Sequence, residues 1–276
     1  MQDDDMLPAV PADFRAVMKG QQTLWQADWR EGLSRLADES VDLVITDPPY
    51  LQRWEGIGTT TRMGLGRKGS RADDPDKSFP TVPNRGFSAL LDELYRVLRP
   101  QTHCYVMSDA PTLPYLFGAL GEDFCCPDRC IYKDDIRQGW THWKLLVWDK
   151  GAPGMGYHYR AQHEYILLLD KGSNRGLADR SVPDVLRFSP PRGAEKLYPT
   201  QKPLALFELL VRQSSAPGEL VLDPFVGSGT TIVAAQRLGR RGLGMDVYGR
   251  AIEVACGRLE QLLGQPRLDF AEQQED

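Results

Sequence analysis

Apolar positions along the chain alternate between two spacings: short continuous runs bounded by polar residues, and longer stretches with helical period. Val41–Ile45 is the clearest short run and reads as a buried parallel strand. Leu24–Asp28 reads as a shorter strand ending in an acid, followed by an amphipathic turn of helix over Trp29–Ala37 with Leu33 and Leu36 inward. Ser88 is placed to cap a helix over Ala89–Leu98, whose Leu90, Leu91, Leu94, Val97 and Leu98 share a face until Arg99-Pro100 stops it. A strand over Thr102–Met107 and a short helix over Pro111–Leu120 follow. Further strands are expected at Arg129–Lys133, Lys144–Trp148 and Glu164–Leu169, the last two joined by the Gly-rich segment Gly151–Tyr159. In the last third, helix Leu204–Gln213 opens after Pro203, a residue suited to a first helical position. Strand Glu219–Asp223, helix Ile232–Leu238, strand Gly242–Asp246 and helix Val247–Leu263 complete the pattern.

Strands alternating with helices predict an α/β fold around a mostly parallel sheet, with an antiparallel hairpin at one edge. Residues 1–22 read as a tail and entry segment, 51–86 and 171–197 as insertions, and the whole of 1–276 as one domain. No apolar run approaches the ~18 residues of a membrane-spanning helix, and the acidic start MQDDDMLPAV lacks the apolar core of a secretory signal. The five cysteines form no CxxC pair and do not sit near the four histidines at zinc spacing, so reduced thiols, a cytoplasmic location and no metal are expected. A net charge of −5 excludes a chain that binds nucleic acid through overall charge, and leaves only local basic patches for that task.

Two stretches carry the chemistry. The first is Asp47-Pro48-Pro49-Tyr50, directly after the Val41–Ile45 strand. The prolines fix their own φ and cannot extend a sheet, so Asp47 and Tyr50 are held at the carboxyl end of a strand, where open α/β sheets place their sites. A carboxylate, a proline carbonyl and an aromatic face suit a flat heterocycle bearing an amino group: two acceptors for its hydrogens and a ring to stack on. The second is Asp223-Pro224-Phe225-Val226-Gly227-Ser228-Gly229-Thr230-Thr231, a Gly-rich turn between a strand and a helix. A further strand ends in Asp246, placed to accept from two ribose hydroxyls, which is the logic of an adenosine-cofactor site. The turn lacks the third glycine of a dinucleotide fingerprint and has no P-loop lysine. Between Leu51 and Ala72 lie five glycines and Arg53, Arg62, Arg67, Lys68 and Arg71 against one acid, Glu55. That basic segment reads equally as a disordered connector or as one that orders on a polyanion.

Together DPPY at 47–50, YPTQKP at 198–203 and DPFVGSGTT at 223–231 resemble the amino-methylating DNA methyltransferases, in the permuted motif order of the beta group. The resemblance covers about Leu24 to Leu263 and departs from the usual HPTQKP by Tyr198 in place of His. It implies a Rossmann-like seven-stranded sheet with helices on both faces, S-adenosylmethionine as cofactor, and double-stranded DNA as substrate, with a homodimer and a cognate restriction endonuclease as further partners. By residue it implies Asp47, Pro48, Pro49 and Tyr50 as the catalytic set. Asp28, Asp47, Thr200, Lys202, Asp223, Pro224, Phe225, Gly227, Ser228, Gly229, Thr230 and Asp246 would line the cofactor, Asp28 near its adenine, Thr200 and Lys202 near its methionine end. The basic arginines and Lys68 would contact DNA. Asp at the first position of xPPY leans to adenine N6, with cytosine N4 as the alternative. RNA and protein-glutamine methyltransferases also carry xPPY but place the Gly-rich motif before it. A nucleic-acid-binding module without catalysis is a third reading.

Overall fold

In a computed structural model of the chain, the described residues are 11, 14–49, 82, 86–120, 139–140, 142–154, 159–172 and 175–264. Tyr50, the basic residues from Arg53 to Arg71, and the expected strand Arg129–Lys133 lie outside them.

The described strands are β1 (Arg15–Lys19), β2 (Gln22–Gln26), β3 (Val41–Thr46), β4 (Leu98–Ser108), β5 (His142–Asp149), β6 (His163–Lys171), β7 (Val185–Arg187), β8 (Leu220–Asp223) and β9 (Arg241–Asp246). They form one sheet in the order β1-β2-β9-β8-β3-β4-β6-β5-β7. The pairs β2–β9, β9–β8, β8–β3 and β3–β4 are parallel, whereas β6 runs against both β4 and β5. The helices are α1 (Trp29–Ser34), α2 (Gly86–Val97), α3 (Leu113–Leu120), α4 (Leu204–Ser214), α5 (Thr230–Arg237) and α6 (Gly249–Leu263). Alternate residues of a strand face opposite sides, and the core divides accordingly. Val44, Cys104, Val106, Leu222 and Leu243 pack with Leu33 of α1, Leu90 and Leu94 of α2, and Leu116 of α3. Leu43, Ile45, Tyr105, Ile166 and Val221 pack with Leu206, Phe207 and Leu210 of α4 and Ala234 of α5. Helices therefore cover both faces, as expected. No described helix is long and apolar enough to cross a membrane.

The sheet has nine strands rather than seven. β1 adds an antiparallel edge beside β2, and β7 pairs in parallel with β5, so the β5–β6 hairpin is not outermost. Both additions escape the periodicity because they are edge strands of five and three residues with mostly exposed or half-exposed side chains. α2 begins at Gly86, before the expected Ser88 cap, and Arg99-Pro100 lies within β4, not at a helix stop. The register of β3 on β4 shifts between Val41 and Leu43. Near that irregularity Gln101 adopts a left-handed φ of 62° and Pro100 is accommodated.

One polar residue interrupts the apolar run of β3 for a reason visible in the sheet. Asp42 is buried, and its two oxygens accept from the Leu220 amide (2.8 Å), at the start of β8, and from the Arg99 guanidinium (2.9 Å). The carboxylate thus brackets the amino end of the β3–β8 pair. On β4, His103 is buried between the Ser214 hydroxyl (2.8 Å) and the Arg175 carbonyl (3.2 Å). The carbonyl can only accept, so Nε2 carries the proton and Nδ1 accepts from Ser214. Burial, reinforced by the Arg175 charge, lowers the His103 pKa from 6.5 to about 4.

The unfolded chain therefore binds a proton at His103 between pH 6.5 and about 4 that the folded chain refuses. Its contribution to stability is complete above pH 6.5 and lost as pH falls toward 4. Urea unfolding at pH 7 and pH 5 should show His103→Gln losing less stability on acidification than the parent, by roughly 2 kcal/mol. An equal pH response in the two proteins would refute the assignment.

Candidate active site

β3 and β8 lie side by side and parallel, and the chain leaves them toward opposite sides of the sheet, β8 to β9 and β3 to β4. That is a topological switch point, with its crevice at the carboxyl ends of the strands. Asp47 and Asp223 sit at those two ends.

The turn after β8 is built around Asp223. Its carboxyl accepts from the Phe225 amide (3.0 Å) and the Thr231 hydroxyl (2.5 Å), closing the turn onto α5. Burial raises its pKa to about 7, against the hydrogen bonds it accepts, with a smaller push from the charge of Asp47. Gly227 and Gly229 both take left-handed φ, 48° and 78°. They do so for different reasons. A Cβ on Gly229 would stand 2.6 Å from the Ala255 Cβ of α6, so packing forbids one. A Cβ on Gly227 would meet nothing closer than 3.9 Å, so the absent side chain leaves room in the turn. Val226 donates to the Met245 carbonyl (2.8 Å). Asp246, at the end of β9, accepts from the amides of Gly227 (3.0 Å) and Tyr248 (2.9 Å). Burial raises the Asp246 pKa, against those amides. Arg258 of α6 closes the back of the turn, donating to the Ser228 carbonyl (2.7 Å) and the Thr230 hydroxyl (3.0 Å).

This donor set fits an adenosine cofactor. The turn offers room at Gly227, whose amide donates to the Asp246 carboxylate at the end of the neighbouring strand. Half-exposed Phe225 packs on Trp29, their ring centroids 6.2 Å apart. Asp28 follows the neighbouring strand β2 at the same rim: the Ala27 amide donates to the Asp246 carbonyl (3.1 Å). Its carboxylate caps α1 by accepting from the Arg30 amide (2.9 Å) and remains half exposed.

The YPTQKP segment joins the two halves. Gln201 ties the segment to itself, accepting from the Leu197 amide and donating to the Glu195 carbonyl. Tyr198 is buried with its ring beside Gly227. Thr200 is exposed. The Lys202 carbonyl lies 3.5 Å from the Thr230 hydroxyl of the glycine turn. Its ammonium reaches the other way, to Asp47 at 2.9 Å and to Glu164 of β6 at 2.8 Å. Glu164 also holds Lys150 at 2.6 Å. Burial opposes the charges of Glu164 and Lys202, but the pairs win: Glu164 is held at about 2 and Lys202 above the ordinary lysine range. The Trp148 ring faces both ammonium groups, 5.3 Å from Lys150 and 5.5 Å from Lys202.

Most sequence-predicted site residues among those described therefore gather at one rim: Asp47, Pro48, Pro49, Lys202, Asp223, Pro224, Phe225, Gly227, Ser228, Gly229, Thr230, Asp246 and, at its margin, Asp28. The Lys202 ammonium lies on the Asp47 carboxylate. Sequence reasoning missed Glu164, Lys150 and Trp148. Their one signal is a carboxylate at the start of a strand face that continues with the buried Ile166 and Leu168.

The family profile described as DNA methylase, for N6 and N4 methyltransferases, matches residues 41–256. Among curated proteins, the type II methyltransferase M2.DpnII of Streptococcus pneumoniae is 29% identical, over 88% of this chain and 91% of its own. Among solved structures, the complex of M1.HpyAVI with SAM superposes with a TM-score of 0.60 at 23% identity, covering 86% of this chain and 98% of that one. The cytosine-N4-specific PvuII DNA methyltransferase superposes with a TM-score of 0.61 at 15% identity, covering 89% and 91%.

The two glycines of the turn should respond differently to a methyl group. Gly229→Ala combines left-handed strain with a clash and should cost several kcal/mol, about 3 or more. Gly227→Ala carries only the backbone term, ~1–2 kcal/mol. Equilibrium denaturation of both variants measures the difference, and an equal or reversed order would contradict the packing described.

Proposed function

The chain belongs to the DNA methylase family of N6 and N4 amino-methyltransferases, and from that premise we propose that it methylates adenine N6 in a base flipped out of duplex DNA, using S-adenosylmethionine. The observation that carries this reading is the Lys202 bridge, which ties Asp47 of the DPPY motif to the glycine turn that fits the cofactor.

The reaction needs an amine whose lone pair is conjugated with its ring to attack an sp³ carbon. When bound, the cofactor supplies a methyl group on a cationic sulfonium. Asp47 and the Pro48 carbonyl accept the two amino hydrogens and favour a pyramidal nitrogen, which frees the lone pair. The N–C bond forms as the C–S bond breaks, and the excess proton leaves the nitrogen toward Asp47 or water. Pro48 and Pro49 fix the direction of these acceptors, and Tyr50 stacks on the base. Alignment and preorganised electrostatics carry the rate, with no covalent enzyme intermediate. The target amine is paired inside a duplex, so the base must first leave the stack. Arg53, Arg62, Arg67, Lys68 and Arg71 hold phosphates in this reading, and the 171–197 segment shares the contact.

The proposal also takes the chain as one catalytic domain, acting at the nucleoid in the cytoplasm, as a homodimer and beside a cognate restriction endonuclease. The family resemblance supports these, and the type II designation of M2.DpnII supports the last.

Asp47→Ala should lower methyl incorporation into DNA by at least about 100-fold while calorimetry shows S-adenosylmethionine affinity within a few-fold of the parent. Turnover near that of the parent would remove Asp47 from the role. Modified-base sequencing of DNA from cells expressing the parent should show N6-methyladenine within one short motif. N4-methylcytosine there would move the target to the other base of the family.

A further inference from the structure

Asp47 does not stand alone at the rim. Its partner Lys202 is shared with Glu164, which comes from the antiparallel strand β6 and has no part in the DPPY or glycine motifs. We propose that Glu164 is a positioning residue for methyl transfer, acting through Lys202 to set the orientation and acceptor strength of the Asp47 carboxylate. The inference rests on the reading of Asp47 given above.

The face on which this happens is fixed by strand parity. Leu43, Ile45 and Asp47 alternate onto the α4 side of β3, and Glu164, Ile166 and Leu168 onto the same side of β6. β6 runs opposite to β4, so its first residues, not its last, lie at the carboxyl rim of the parallel strands. A parallel strand in that place would present its carboxyl end there instead. The reversal is what brings Glu164 within reach of a lysine that also reaches Asp47.

The charges explain why a second carboxylate is useful. An ammonium committed to Asp47 alone would draw on the lone pairs that the reaction needs for the substrate amine. It would also be free to rotate about Asp47 on its flexible stem. Glu164 accepts the same ammonium at 2.8 Å and so divides its charge and fixes its place. Lys150, 2.6 Å from the other Glu164 oxygen, keeps Glu164 ionised and fixes it in turn. Trp148 lies against both ammonium groups and favours them as cations. The Lys202 side chain is 13% exposed and that of Glu164 20%, so screening by water is limited. The order of influence is Lys150, Glu164, Lys202, Asp47, and only the last touches substrate.

The test uses the full chain with Glu164→Gln, Lys202→Met and the double variant. Single-turnover methyl transfer is read at saturating S-adenosylmethionine and DNA, alongside cofactor Kd by calorimetry, KM for DNA, and Tm. Glu164→Gln should slow transfer at least about 10-fold while KM and Kd stay within about threefold. In the Lys202→Met background the same change should alter the rate by less than about threefold, because the route to Asp47 is already cut. Glu164→Asp retains the charge and should recover part of the loss. A parent-like rate in Glu164→Gln overturns the inference, as do equal losses in both backgrounds. If Glu164→Gln does not fold, Glu164→Asp decides instead: it is slowed with unchanged Kd, or it is parent-like and the inference fails. A parent chain that methylates no DNA overturns the proposed function and this inference with it. An active parent with an indifferent Glu164 overturns this inference alone.

Discussion

The parallel pairing of β3 with β8 is the constraint on which the rest of the molecule depends. It sets the ends of two distant segments, Asp47 and Asp223, beside each other at one rim. The register is secured at the far end of the pair, where Asp42 accepts from the first amide of β8 and from Arg99. A slip by one residue would turn every side chain of β3 to the opposite face. Asp47 would then face α1–α3, away from Lys202. A buried carboxylate in the strand is thus the counterpart of the Asp47 carboxylate at its tip.

Bringing acids together has a cost, and the structure meets it in two ways. Asp223 is enclosed, and burial with the nearby Asp47 raises its pKa to about 7, so near neutrality it is partly protonated. In that state it donates or accepts within the turn and adds little negative charge. Asp47 and Glu164 instead share Lys202, and Glu164 has Lys150 as well. The two solutions fit their places: Asp223 is enclosed where it closes the glycine turn, whereas Asp47, the acceptor proposed for the substrate amine, stays partly exposed at the crevice.

What was legible in the sequence follows the same division. Strands β3 and β8 declare themselves because both their faces are buried and most of their residues are apolar, and β9 because its buried Leu243 and Met245 run from a glycine-flanked start into an acid. The glycine turn is legible because left-handed φ at Gly227 and Gly229 restricts the residue choice. β1 and β7 are not, since an edge strand buries little and its alternation is weak. Glu164 looked like the polar start of the strand after a hairpin, and only the antiparallel direction of β6 turns that start toward the rim. The role of Lys202 was half legible: its motif placed it at the site, but which anion it meets depends on where β6 lies. Long-range charge pairs leave no local period, and that is where sequence reasoning stopped.

The Pro49 carbonyl accepts from the Val82 amide at 3.0 Å, so the chain departs from the rim and returns to it through a closed neck. Positions 50–81 thus join the rim at both ends through one hydrogen bond. Lengthening such a closed excursion is inexpensive, about 0.6 kcal/mol for each doubling. The neck therefore fixes where this span begins and ends, so a change of length beyond Tyr50 leaves the spacing of its two ends, and of Asp47 beside them, unaltered.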